Sequence, residues 1–143
     1  MATPFTDALD RIVAQFQAVF TRPEILRREE RPDIALLEMR GDYGSYLIYL
    51  REIRRADGSR KYAYYAVEQG QVSAGFDNAP DPRALRLKYG PAYPQHRLEP
   101  VAHRHTAAKQ TLELTPEMDC AAFIAWLQAN LPLPPPLAVE TQP

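Results

Sequence analysis

The sequence predicts an α+β fold in which N- and C-terminal helices pack on one face of an antiparallel β-meander of four to five strands. Three observations carry this. Apolar residues recur at helical spacing near both ends of the chain, β-branched and aromatic runs fill residues 34 to 76, and the turns between those runs are too short for crossover connections.

The first helix is placed at about 4 to 20. Thr3 followed by Pro4 is an N-cap with proline at the first helical position, and Phe5, Leu9, Ile12, Val13, Phe16, Val19 and Phe20 form one apolar stripe that ends before Pro23. The strands follow. IALLEM (34 to 39) is a short apolar run closed by the turn signal GDYG, and SYLIYLREI (45 to 53) alternates apolar side chains between two faces. ADGS (56 to 59) is a hairpin turn, because Asp-Gly supplies the positive φ of a type I′ turn. KYAYYAVE (61 to 68) returns, QG turns again, and QVSAGF (71 to 76) places Val72, Ala74 and Phe76 on one side.

From Asp77 to about Pro100 neither period holds, and the segment reads as a long loop with one helical turn at 82 to 88; a loop of that length inside a domain is commonly functional. KQTLELT (109 to 115) is the fifth strand. Thr115-Pro116 repeats the capping signature ahead of Cys120, Phe123, Ile124, Leu127 and Leu131, a second amphipathic helix near 116 to 130. Residues 1–131 thus form one domain, and 132–143 form a proline-rich tail that favours extended, disordered chain, with a proline-motif ligand as the alternative.

Bulk properties narrow the function. At 143 residues the chain can bury a core without a metal or disulfide staple, and its lone Cys120 has no internal partner. A formal charge of −1 gives no global positive field for nucleic acid. Basic residues are nevertheless grouped at 22 to 32, 51 to 61 and 82 to 88, which permits a local basic face or simply solvated surface. The N-terminus reads as a helix rather than a signal peptide, and no apolar run approaches the length of a membrane span, so the expectation is a cytoplasmic protein with no membrane partner. No glycine-rich phosphate loop and no thiolate metal site is present.

Two places carry candidate chemistry. FDNAPDP (76 to 82) ends a strand in Asp77 and Asn78, which ahead of Pro80 form an Asx-type corner and need no further task. HRH (103 to 105) holds two of the three histidines, and on a strand both rings share a face. With Asp77 they can form a two-histidine, one-carboxylate metal site, or a general acid and base, or no site at all. Tyr46, Tyr49, Tyr62, Tyr64 and Tyr65 lie on strands, where they can stack bases but more commonly pack.

The order of these pieces resembles the toxin component of the TumE/TumA toxin–antitoxin systems. The likeness spans residues 45 to 105 and rests on DGS, on KYAYYAVEQGQVSAGFDNAPD and on a histidine pair around a basic residue. Asp81 and Pro82 stand where that family often has histidines, and the segment before the pair is longer. YPQHR (93 to 97), with His96, is a competing match for the histidine cluster. The resemblance implies an intracellular protein that acts on RNA or translation and is neutralised by a cognate antitoxin protein.

The expected site follows from combining the two. Asp77, held by the corner of Asn78 and Pro80, orients His103 or His105. Arg104 with Arg60 or Lys61 contacts RNA phosphates, and the two histidines serve as base and acid of a ribonuclease that needs no metal and no cofactor. The competing expectation is a non-catalytic protein-interaction or nucleic-acid-binding module with structural histidines.

Overall fold

A computed structural model describes residues 2–106 and 108–133. Helix α1 (Thr6–Val19) is followed by strands β1 (Thr21–Glu30), β2 (Ile34–Tyr43), β3 (Tyr46–Arg55), β4 (Arg60–Glu68) and β5 (Gln71–Asp77). Helix α2 (Pro82–Tyr89) and a 3-10 helix (Gly90–His96) come next, then β6 (His103–Thr106), β7 (Thr111–Leu114) and helix α3 (Cys120–Asn130). The strands form one antiparallel sheet in chain order, β1 to β7. The class is the expected α+β meander, but with seven strands rather than four to five.

Alternation along the strands explains which face is buried. One face carries Leu37 and Met39 of β2, Ile48 and Leu50 of β3, Tyr64 and Ala66 of β4, and Ala74 and Phe76 of β5. Against it lie Leu9, Ile12 and Phe16 of α1 and Phe123, Ile124 and Leu127 of α3, all in one core. Gly41 permits the close approach of α1: a Cβ there would stand 2.8 Å from the Phe16 ring. Inside this core Glu52 is 1% exposed, and its carboxylate is met by Arg60 at 2.8 Å and by the Tyr64 hydroxyl. A buried charge needs such pairing, since desolvation alone would expel it.

Three expectations change. β1 lies in a stretch that reads only as a basic run, TRPEILRREE; its polarity suits an edge strand exposed over most of its length. The register shift between Thr21 and Glu24, with Arg22 at φ 50°, accommodates Pro23 without a missing ladder bond. The segment expected as a loop at 77 to 100 is largely helical: the helical turn read at 82 to 88 is α2, and a 3-10 helix follows it. Asp81 caps α2 by accepting from the Arg83 N–H, Pro82 occupies its first turn, and Ala84 and Leu85 pack with Val101 in a second small core on the sheet face opposite α1 and α3. Helix α3 begins at Cys120 because Asp119, not Thr115, provides the cap, accepting from Ala122 N–H at 2.8 Å. The proline-rich tail from residue 134 onward lies outside the described residues.

Candidate functional site

Strand register brings the two halves of the expected site together. Asp77 of β5 pairs directly with His103 of β6, while Gly75 pairs with His105 and with Tyr65 of β4. Residues two apart share a face, so Asp77, His103, His105 and Tyr65 all project from the face opposite α1 and α3. Asp77 Oδ1 lies 3.2 Å from His103 Nε2, Oδ2 lies 3.3 Å from His105 Nε2, and the two Nε2 atoms are 3.1 Å apart. The three residues are 7%, 1% and 5% exposed.

Each group is oriented by the scaffold. Ala79 N–H donates to Asp77 Oδ1 at 2.9 Å, the Asx turn expected of the FDNAP corner. Tyr65 donates its hydroxyl to Oδ2 at 3.1 Å. Its ring lies across Gly75, where a Cβ would come within 2.3 Å of it, so the glycine makes this reach possible. His103 Nδ1 donates to the Val101 carbonyl at 2.6 Å. A carbonyl can only accept, so Nδ1 carries a proton and Nε2 is the ring nitrogen that faces the cluster. His105 Nδ1 is buried and has no partner among the described residues. Burial pushes the His105 ring below its ordinary value; Asp77 opposes this and the neighbouring His103 adds to it. Burial, with Asp77 beside it, raises the Tyr65 phenol.

Asn78 is the rigid part of the corner. Its Oδ1 accepts from Tyr62 N–H at 3.1 Å and its Nδ2 donates to the Arg60 carbonyl at 2.8 Å, continuing the ladder of β4 beyond the end of β5. Pro80 sits beside it on the wall of a cleft of about 220 Å³, which is also lined by Arg51, Lys61, Tyr65 and Asp77. Asp77 thus belongs to both the buried cluster and the open cleft.

The expected basic partners divide. Lys61 is exposed and lines the cleft, on the same face as Asp77. Arg60 and Arg104 do not reach it, because alternation turns both to the other face. Arg60 serves Glu52, the Met118 carbonyl and the Tyr64 hydroxyl. Arg104 lies over the Trp126 ring, 5.1 Å from its centroid, and pairs with Glu113. His96 stacks on Tyr89 and bonds Glu99, apart from the cluster. Sequence reasoning missed Tyr65 and Gly75 as site residues; the signal was Tyr65 standing two residues along from Ala63, the position that pairs with Asp77.

The arrangement also limits the chemistry. Proton carriers acting on the two sides of one phosphate must flank it, yet here both Nε2 atoms converge on a single point beside the carboxylate. The three side chains form one unit. No family model, no curated protein and no solved structure matches the chain.

Proposed function

We propose that the chain is a toxin-like component of a bacterial toxin–antitoxin system that acts on RNA, with the Asp77–His103–His105 unit as its reactive centre. One observation carries this reading: Asp77 is shared between a scaffold-oriented polar cluster and an open cleft flanked by Lys61 and Arg51. A phosphate entering that cleft meets the cationic side chains of Lys61 and Arg51 and the carboxylate end of the unit. Oriented groups in a sheltered site are where catalytic gain arises, since they need no reorganisation during reaction. The resemblance to TumE-like toxins supports RNA as the substrate class and a neutralising antitoxin as the partner.

A second reading has its own observation. His103 and His105 are almost wholly buried beside Val101, under the segment that carries α2, as histidines with a purely structural task would be. The chain would then be an interaction or nucleic-acid-binding module.

Incubating the purified chain with labelled single-stranded RNA separates the two. The first reading expects cleavage that Lys61→Ala weakens through KM, and that is suppressed when the candidate antitoxin is added. Binding without cleavage supports the second.

A further inference from the structure

We propose that Asp77, His103 and His105 form a binding site for one first-row divalent cation, zinc being the best fit. The inference deepens the reading of the same three residues as a reactive centre, and it replaces the metal-free expectation for that centre.

Spacing is the first argument. A cation bonded at about 2.0–2.1 Å holds adjacent ligand atoms about 3.0–3.4 Å apart, the lower value for octahedral and the upper for tetrahedral geometry. The two Nε2 atoms are 3.1 Å apart, and each has its own Asp77 oxygen at 3.2 or 3.3 Å, Oδ1 for His103 and Oδ2 for His105. One donor atom from each residue lies within 4.8 Å of the others.

Donor orientation is the second. A ligating imidazole characteristically gives its other N–H to a carbonyl or carboxylate, which fixes the tautomer and leaves the metal-binding lone pair free. His103 does this through Val101. Each oxygen of Asp77 receives one hydrogen bond from the scaffold, Oδ1 from Ala79 N–H and Oδ2 from the Tyr65 hydroxyl, and turns toward one histidine Nε2. Without a positive charge at the meeting point, the one proton on His105 Nε2 can satisfy His103 Nε2 or Asp77 Oδ2 but not both. A cation satisfies all three. His105 Nδ1 has no partner among the described residues in either state, so it does not discriminate.

Ligand type is the third. Two imidazoles and one carboxylate suit zinc, and also iron(II) in the facial arrangement, rather than calcium or magnesium, which prefer all-oxygen shells. Three protein ligands leave at least one coordination position for water or substrate, and the cleft reaches the centre at Asp77. A cation there supplies Lewis-acid polarisation of a phosphate oxygen.

The test uses the full chain, stripped by chelator and dialysed. Zinc titrated calorimetrically should bind one ion per chain and raise the melting temperature. Cobalt(II) should give a visible absorption band whose intensity reports the coordination number. His103→Ala, His105→Ala and Asp77→Asn should abolish stoichiometric uptake, while His96→Ala should retain it. Should a variant fail to fold, the parent still decides the matter: in spectra of 15N-histidine-labelled protein, zinc should move the Nε2 signals of two of the three histidines and leave His96 in place. Uptake that persists in all three variants, or zinc that shifts no Nε2 signal, overturns the site. Zinc bound without any RNA cleavage supports the site and counts against the RNA reading. Cleavage that is undiminished in chelator, by protein that takes up no zinc, does the reverse.

Discussion

Asp77 on β5 and His103 on β6 are direct cross-strand partners, with 3.2 Å between Oδ1 and Nε2. The chain makes this meeting by a detour: between the two residues it leaves the sheet, forms α2 and the 3-10 helix, and returns through Val101, whose N–H donates to the Asn78 carbonyl at 3.1 Å. The corner and the histidines are therefore one construction, tied at both ends.

Gly75→Ala is expected to destabilise the fold by about 1–3 kcal/mol, the usual cost of overpacking. The new Cβ would drive the Tyr65 ring off the backbone and its hydroxyl away from Asp77. A double-mutant cycle with Tyr65→Ala, read by urea unfolding, should recover part of that loss, because the two residues act through one contact. Additive losses would contradict it.

Asn78→Ala should cost about 2 kcal/mol, since it strands the buried Tyr62 N–H and the Arg60 carbonyl together. Asn78→Asp keeps the acceptor for Tyr62 N–H but sets a buried carboxylate oxygen against the Arg60 carbonyl, so in chemical denaturation it should cost at least as much as alanine.

In the main core, Glu52→Ala leaves Arg60 without its principal carboxylate and should cost about 3–5 kcal/mol. Glu52→Gln preserves hydrogen bonding to Tyr64 and should cost less. Calorimetric melting of the two variants side by side checks the order.

Glu30 gives the pH dependence. The Thr3 hydroxyl, then the Thr6 hydroxyl, then Arg28 hold its carboxyl down at about 2 against an ordinary 4.5. A lowered folded-state value stabilises the fold above the unfolded value, and that contribution is lost as pH falls toward 2. Parent should therefore exceed Glu30→Gln in denaturant resistance at pH 6, and the gap should narrow steadily from about pH 4.5 down to pH 2.

Much of this architecture was legible in the sequence because local signals and tertiary placement agree. The hairpin at Asp57-Gly58 and the alternation through Tyr46 to Phe76 appear where their patterns place them, although only Gly58 of the turn takes positive φ and not the pair that a type I′ turn needs. Both end helices are present, but α1 starts at Thr6 without a cap from Thr3, and α3, apolar nearly all round, starts at Cys120. β1 was not legible, since an edge strand exposed over most of its length carries no alternation, and Pro23 argues against a strand unless a bulge absorbs it. α2 was legible only as a helical turn at 82 to 88, since eight residues with a two-residue buried stripe are too short for a period, and the 3-10 helix after it carried no signal. At the site, Asp77, His103 and His105 were found by residue type, whereas the exclusion of Arg60 and Arg104 depends on strand parity, which no basic run displays. Tyr65 was hidden among five strand tyrosines, and only the register with Gly75 distinguishes it.

The most direct measurement is RNA cleavage and thermal melting of Asp77→Asn beside the parent. Asparagine keeps the volume and the acceptor for Ala79 N–H, so with both proteins stripped by chelator melting should change by no more than about 4 °C, the shift that 1 kcal/mol produces in a domain of this size. Cleavage should fall by about 10²-fold or more, the loss expected when a catalytic group is removed. Cleavage at the parental rate, or a loss of activity that merely follows a collapse in melting temperature, would contradict it.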